Sequence, residues 1–337
     1  MKVRTLLHRG FGLAIDQLLC GSLALLHRRH AQHTSTRAEA EKYFAACEAQ
    51  TRAEHFAFPA ELEDLRREAR DTISWRSPAK SVARFPMNGR ASARLFQIRR
   101  NAPTVILLHS LMSASDAGYR IWARRFNALD WNAAFVHLPF HYSRRPPLHL
   151  NGELCFTADL IQTGDTLRQA VVEIRQLLEW LRGEGSQEFG LLGTSYGGWL
   201  AALVASLEPD LRFLALLAPM VNGGHALYEG PSSWTIRRQL VRAGLERALI
   251  DRHAHLSSPL RAPPAGGAAE RTVIIGGEFD RIVPMNDLIA LREAWPGSEL
   301  ITLPQAHFGY GMIPRAFAWL RERGLLTVVD RDRPRGG

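Results

Sequence analysis

From about residue 90 onward the chain alternates two hydrophobic patterns. Thr104–Leu108 (TVILL), 189–192, 213–217, 272–275 and Glu299–Leu303 are short, nearly continuous apolar runs, as expected of strands covered on both faces. Residues 92–98 alternate with a period of two and read as a further strand, and 133–138 as another that ends at Pro139. Between these runs, apolar positions recur at helical spacing over 119–129, 163–182, 199–207, 286–294 and 314–323. Strands alternating with helices predict an α/β domain with a mostly parallel sheet and helices on both faces. Residues 1–85 show only helical patterns, so they are expected to form a helical extension. The α/β domain then spans 86–326, with an insertion at about 222–270 and a flexible tail at 327–337.

The first helix has two readings. Basic residues Lys2, Arg4 and Arg9 precede an apolar stretch at 11–26 that superficially resembles a signal peptide. Asp16 and Gln17 interrupt that stretch, and no small-residue cleavage site follows. The run is too short and too polar to span a bilayer. Leu7, Phe11, Ala14, Ile15, Leu18, Leu25 and Leu26 fall at helical spacing, which predicts an amphipathic helix packed on the protein body. The basic flanks leave open a peripheral membrane contact through residues 1–30. The expected location is the cytoplasm.

Composition narrows the function classes. The chain is 46% hydrophobic and 22% charged, ordinary for a globular protein. Its net charge of +9 is supplied almost wholly by arginine, the only lysines being Lys2, Lys42 and Lys80. The arginines come in scattered pairs rather than one basic stripe with aromatics, so no nucleic-acid partner is expected. Three cysteines, Cys20, Cys47 and Cys155, have no metal or redox spacing; Cys20 and Cys155 read as core residues, in keeping with a reducing compartment. His27, His30, His33, His253 and His255 lack carboxylate or cysteine companions, so no metal is expected. No phosphate-binding glycine loop is present, and no cofactor is expected.

The chemistry lies at the ends of the strands. Gly193-Thr194-Ser195-Tyr196-Gly197 joins the 189–192 strand to the following helix. A G-x-S-x-G turn at that junction strains the serine and exposes its hydroxyl beside a helix amino terminus. A serine hydroxyl needs a base. Two later strands end in candidate partners: Asp280, with Glu278 as rival, after 272–275, and His307 after Glu299–Leu303.

On these residues the chain resembles the α/β-hydrolase superfamily over about 90–324. The resemblance implies Ser195 as nucleophile, His307 as general base and then acid, and Asp280 as the group orienting His307. It also implies an oxyanion hole from the Tyr196 N–H and an N–H of the His109-Ser110-Leu111-Met112 loop, Leu111 first and Met112 next. Ser110 stands where the family commonly has glycine. His109 is expected to brace that loop. The stretch from Pro139 to Leu160, with Arg144, Arg145 and Gly152-Glu153-Leu154, resembles the abhydrolase-18-like group. Met112, Arg144, Arg145 and Trp234 are the candidate substrate contacts. The arginines read either as anion binders or as part of a proline-stiffened loop. Trp234, Leu240, Val241, Leu245, Leu249 and Ile250 either line an acyl pocket or pack a lid helix. The expected activity is cleavage of a carboxylic ester or lipid substrate through an acyl-enzyme. The alternatives are acyl transfer by the same triad and a non-catalytic lipid- or partner-binding protein.

Overall fold

The computed structural model describes residues 2–30, 34–68, 71–79 and 84–328. His33, the tail beyond residue 328, and the side chains of residues 2–9, Phe11 and His30 lie outside the described residues, and with them part of the predicted amphipathic stripe.

Nine strands form one sheet in the order β1-β2-β3-β5-β4-β6-β7-β8-β9. They are β1 (Arg66–Glu68), β2 (Thr72–Arg76), β3 (Arg90–Phe96), β4 (Thr104–Leu108), β5 (Asn132–His137), β6 (Phe189–Thr194), β7 (Leu211–Leu217), β8 (Thr272–Gly277) and β9 (Glu299–Leu303). The first three strands pair antiparallel, with β3 antiparallel to β5. From β5 to β9 all pairings are parallel. In β4, Ile106 and Leu108 join the core on one face of the sheet, Val105 and Leu107 the core on the other. That two-sided burial explains the continuous apolar run.

The helices are α1 (Lys2–Leu26), α2 (Arg37–Glu48), α3 (Arg52–His55), α4 (Ala117–Asn127), α5 (Leu160–Gly183), α6 (Tyr196–Ala205), α7 (Gly223–Tyr228), α8 (Trp234–Arg242), α9 (Arg247–Asp251), α10 (Ala254–Ser257), α11 (Met285–Ala294) and α12 (Met312–Glu322). Helices α2 and α3 each begin with a reciprocal cap, Thr36 with Glu39 and Thr51 with Glu54. Helices α7 to α10 fill the segment between β7 and β8, where the insertion is expected.

Two expectations need correction. Residues 1–85 are not all helical, because β1 and β2 extend the sheet through register pairs such as Ser74 with Ser92. Strand β1 is Arg-Arg-Glu, wholly exposed, so it carries no alternating signal. Its pairing with β2 overrides its local propensity. Helix α1 also presents a different face from the one expected. Asp16, Cys20 and Ala24 are buried, whereas Leu18 is 71% exposed and Leu25 59%.

Candidate active site

The parallel strands point their carboxyl ends to one edge of the sheet, where ligands collect in open α/β folds. Ser195 follows β6 at the centre of that edge. Its φ of 53° and ψ of −113° are costly for a residue with a Cβ. The turn also demands close approach. A Cβ on Gly193 would lie 2.3 Å from the Gly197 carbonyl oxygen, and one on Gly197 2.4 Å from that of Leu108. The Ser195 amide donates to Leu217 O at 2.7 Å, anchoring the elbow to β7.

Asp280 follows β8 and His307 follows β9. The two loops are stitched together by the Glu278 amide on Leu303 O (2.8 Å) and the Phe279 amide on Gln305 O (3.1 Å). His307 Nδ1 lies 2.7 Å from Asp280 Oδ2, and His307 Nε2 lies 3.0 Å from Ser195 Oγ. A carboxylate only accepts, so the proton belongs on Nδ1 and Nε2 accepts from the serine hydroxyl. The other Asp280 oxygen accepts the amides of Ile282 and Val283 at 2.8 and 2.9 Å. Glu278, the rival acid, is exposed. Burial alone would lower the His307 pKa. The Asp280 charge and hydrogen bond, with Asp16 behind them, outweigh it and hold the pKa above the ordinary 6.5.

Ser195 and His307 line a cavity of about 60 Å³ with Leu111, Met112, Phe156, Met220 and Ile282. Among the described residues its walls carry no acidic side chain, and no basic one other than His307. A larger cavity of about 470 Å³ lies elsewhere, between α2, α5 and the segment before β3, and holds none of the expected site residues. Chemistry, not size, picks the smaller one.

The Leu111 loop is held from behind. The buried His141 ring bonds the Leu111 carbonyl through Nε2. Burial pushes its pKa down to about 4 against the opposing pull of the carbonyls it faces, Leu111 O at Nε2 and Pro139 O at Nδ1. Gly152 makes this contact possible, since at its φ of 76° a Cβ would strike both partners. With the Leu111 carbonyl turned to His141, the planar trans peptide sends the Met112 N–H the opposite way. The Tyr196 N–H opens α6 and has no intrahelical acceptor. His109 is fully buried and contacts the Ser110 carbonyl and the Leu138 amide, the bracing position expected of it.

Arg144 does not reach the cavity. It is buried against Glu173, with N···O distances of 2.6 and 2.8 Å, and donates to the carbonyls of Asn88 and His137. Ser77 and Gln169 complete the shell of Glu173. Arg145 is exposed and does not line the cavity. Trp234 is 40% exposed, with the guanidinium groups of Arg28 and Arg238 at 5.6 and 5.8 Å from its ring centroid. Of the candidate substrate contacts only Met112 lines the cavity. Leu240 and Leu245 are core residues, Val241 is exposed, and Ile250 borders a separate apolar cavity.

Comparison with solved structures bears on the fold. The chain superposes on the acetyl xylan esterase from Paenibacillus sp. R4 with a TM-score of 0.57, at 13% identity, covering 88% of this chain and 98% of that one. Acetyl xylan esterase 1 from Thermoanaerobacterium sp. JW/SL YS485 gives 0.54, at 15% identity, with coverage of 89% and 97%. The chain has the α/β-hydrolase fold. Residues 130–230 of the chain match the family model "Alpha/beta hydrolase domain containing 18", a stretch that includes Ser195 and Gly152 but neither Asp280 nor His307. The uncharacterized protein Rv2627c of Mycobacterium tuberculosis is 29% identical over 266 residues, 74% of this chain. The chain spans 62% of that relative's length.

Three contributors were not recognised from sequence. His141 and Gly152, which hold Leu111, sit in a loop whose meaning depends on a contact 30 residues away. Asp16 donated the only signal available, a carboxylate in the middle of an apolar run. Among the described residues no helix is long and apolar enough to cross a membrane, and no group of three or more His, Cys, Asp or Glu is placed to hold a metal ion.

Proposed function

We propose that the protein is a serine hydrolase that cleaves carboxylic esters of short, uncharged acyl groups. The observation that carries this reading is the unbroken chain Ser195 Oγ, His307 Nε2, His307 Nδ1, Asp280 Oδ2 at 3.0 and 2.7 Å on a strained elbow. Ser195 attacks the ester carbonyl carbon as His307 takes its proton. Asp280 keeps the ring in the required tautomer and steadies the imidazolium. The Tyr196 N–H and an N–H of the Leu111–Met112 loop receive the oxyanion; one such donor contributes about 3 kcal/mol to the transition state. His307 then protonates the leaving alcohol. Water, deprotonated by His307, releases the acid and restores Ser195.

The acyl preference follows from the cavity. A water needs roughly 10–15 Å³ of such space, so 60 Å³ admits only a few heavy atoms. With Arg144 paired to Glu173, it is not available to an anionic acyl group. The test is turnover of p-nitrophenyl esters of increasing chain length by wild type and Ser195→Ala. The expected result is a maximum at acetate or propionate, lost in the variant. Equal rates in both proteins would overturn the reading.

A further inference from the structure

Helix α1 reaches the site from 291 residues away in sequence. Its inward stripe runs Gly12, Asp16, Cys20, Leu23, Ala24. A Cβ on Gly12 would lie 2.9 Å from the Cβ of Ala306, so helix and histidine loop are in contact. One turn on, Asp16 is 1% exposed and its Oδ2 accepts the backbone N–H of His307 at 3.2 Å. Its other oxygen is buried and has no hydrogen-bond partner. Two turns further, Leu23 lines the Ser195 cavity. At the far end the Ala24 carbonyl accepts from Thr235 of the insertion.

A buried carboxylate with one oxygen unsatisfied is destabilising, by an amount that a cover helix would avoid with an apolar residue. Here the carboxylate faces the back of the histidine loop. Among the described residues, the ionisable or nucleophilic groups around His307 are Ser195 from the elbow, Asp280 from the loop after β8 and Asp16 from α1, with Cys20 beyond Asp16. None of these can become cationic; burial raises the Asp16 pKa, and in its ionised form Asp16 adds negative charge around the one ring that becomes positive.

We infer that Asp16 is a positioning residue for the ester cleavage proposed above, fixing the His307 loop through its backbone amide and favouring the imidazolium that forms as Ser195 gives up its proton. The inference rests on that reading of Ser195 and His307, and it makes α1 part of the active site. Asp16 is one of the influences that raise the His307 pKa, as are the charge and hydrogen bond of Asp280. The sign of the effect is therefore defined. Without the Asp16 charge, the histidine holds its proton less tightly. The neutral base then persists to lower pH, while the imidazolium of the transition state loses support.

The experiment uses full-length wild type, Asp16→Asn, which keeps an acceptor oxygen but not the charge, and Asp16→Glu, which keeps the charge. The His307 ring is titrated by NMR, and the rate of Ser195 phosphonylation by a fluorophosphonate is followed from pH 5 to 9. A thermal melt confirms that each variant is folded. For Asp16→Asn the expected results are a lower His307 pKa, an acid limb displaced downward by the same amount, and a plateau slower by about tenfold, the equivalent of one pKa unit of interaction. Asp16→Glu should return the limb toward its wild-type position. An unchanged His307 pKa in Asp16→Asn, or a slower plateau with an unmoved limb, overturns the inference. Failure of folded wild type to label overturns the serine-hydrolase reading and the positioning role with it. The NMR titration separates that outcome from a failure of Asp16 alone.

Discussion

Two of the buried ionic clusters in this molecule, one around Arg144 and one around His307, differ in how their charges are matched. Around Arg144 and Glu173 the charges are matched one to one, and Ser77, Gln169, Asn88 and His137 occupy most of the remaining hydrogen-bonding positions. Around His307 the Asp280 carboxylate accepts from the ring, the Asp16 carboxylate accepts from the backbone N–H, a serine hydroxyl points at the free ring nitrogen, and an Asp16 oxygen is left without a partner. The first cluster balances its charges, although the buried Arg144 Nε has no partner, and holds the segment around His141 against α5. The second is unbalanced toward negative charge, an arrangement that suits a group which must become positive during turnover. Burial of charge is common to both. The lesson is in what is left unmatched, and in whether the group opens onto a cavity.

The largest expected effects break the second cluster. Ser195→Ala or His307→Ala should lower kcat by about 10⁶-fold with little change in the thermal melt. Asp280→Asn should lower it by roughly 10⁴-fold through loss of the correct tautomer; steady-state kinetics on a p-nitrophenyl ester measure both. Near-normal activity in Asp280→Asn would remove Asp280 from the account.

Breaking the first cluster should act on folding. Arg144→Ala strands a buried carboxylate and is expected to cost about 3–5 kcal/mol in a urea melt. Arg144→Met paired with Glu173→Gln should recover part of that loss. A binding role would instead raise KM in a protein of unchanged stability.

A pH profile sharpens the comparison further. His307 must be neutral to accept the serine proton, and its pKa is raised. Log(kcat/KM) is therefore expected to fall on acidification through a midpoint above 6.5, the ordinary value for histidine. A midpoint below 6.5 would contradict the charge arrangement described for the site.

The smallest effect concerns the cavity wall. Phe156 lines both the Ser195 cavity and a neighbouring apolar cavity bordered by Leu160, Leu167, Trp199 and Leu227. Phe156→Ala should join the two and move the preferred acyl chain several carbons longer. An unchanged chain-length profile would show that Phe156 does not set the limit.

The triad candidates and the parallel sheet were legible because each depends on local pattern. Glycines flank a serine between an apolar strand and a helix, and two polar residues follow later apolar runs. The remaining features depend on contacts distant in sequence. Arg144 reads as a loop cation until Glu173 arrives from α5, and Trp234 reads as a pocket aromatic until the turn after α1 brings Arg28 beside it. Strand β1 has no apolar residue to mark it. Helix α1 misleads most. The usual rule places polar residues outward, yet Asp16 is buried and Leu18 exposed because the face that meets the histidine loop is selected by contact with His307.

The most direct test of the central claim is intact-mass analysis after fluorophosphonate treatment, with wild type beside Ser195→Ala. The account predicts one adduct on wild type and none on the variant. Equal labelling of both proteins, or no labelling of folded wild type, would contradict an activated Ser195.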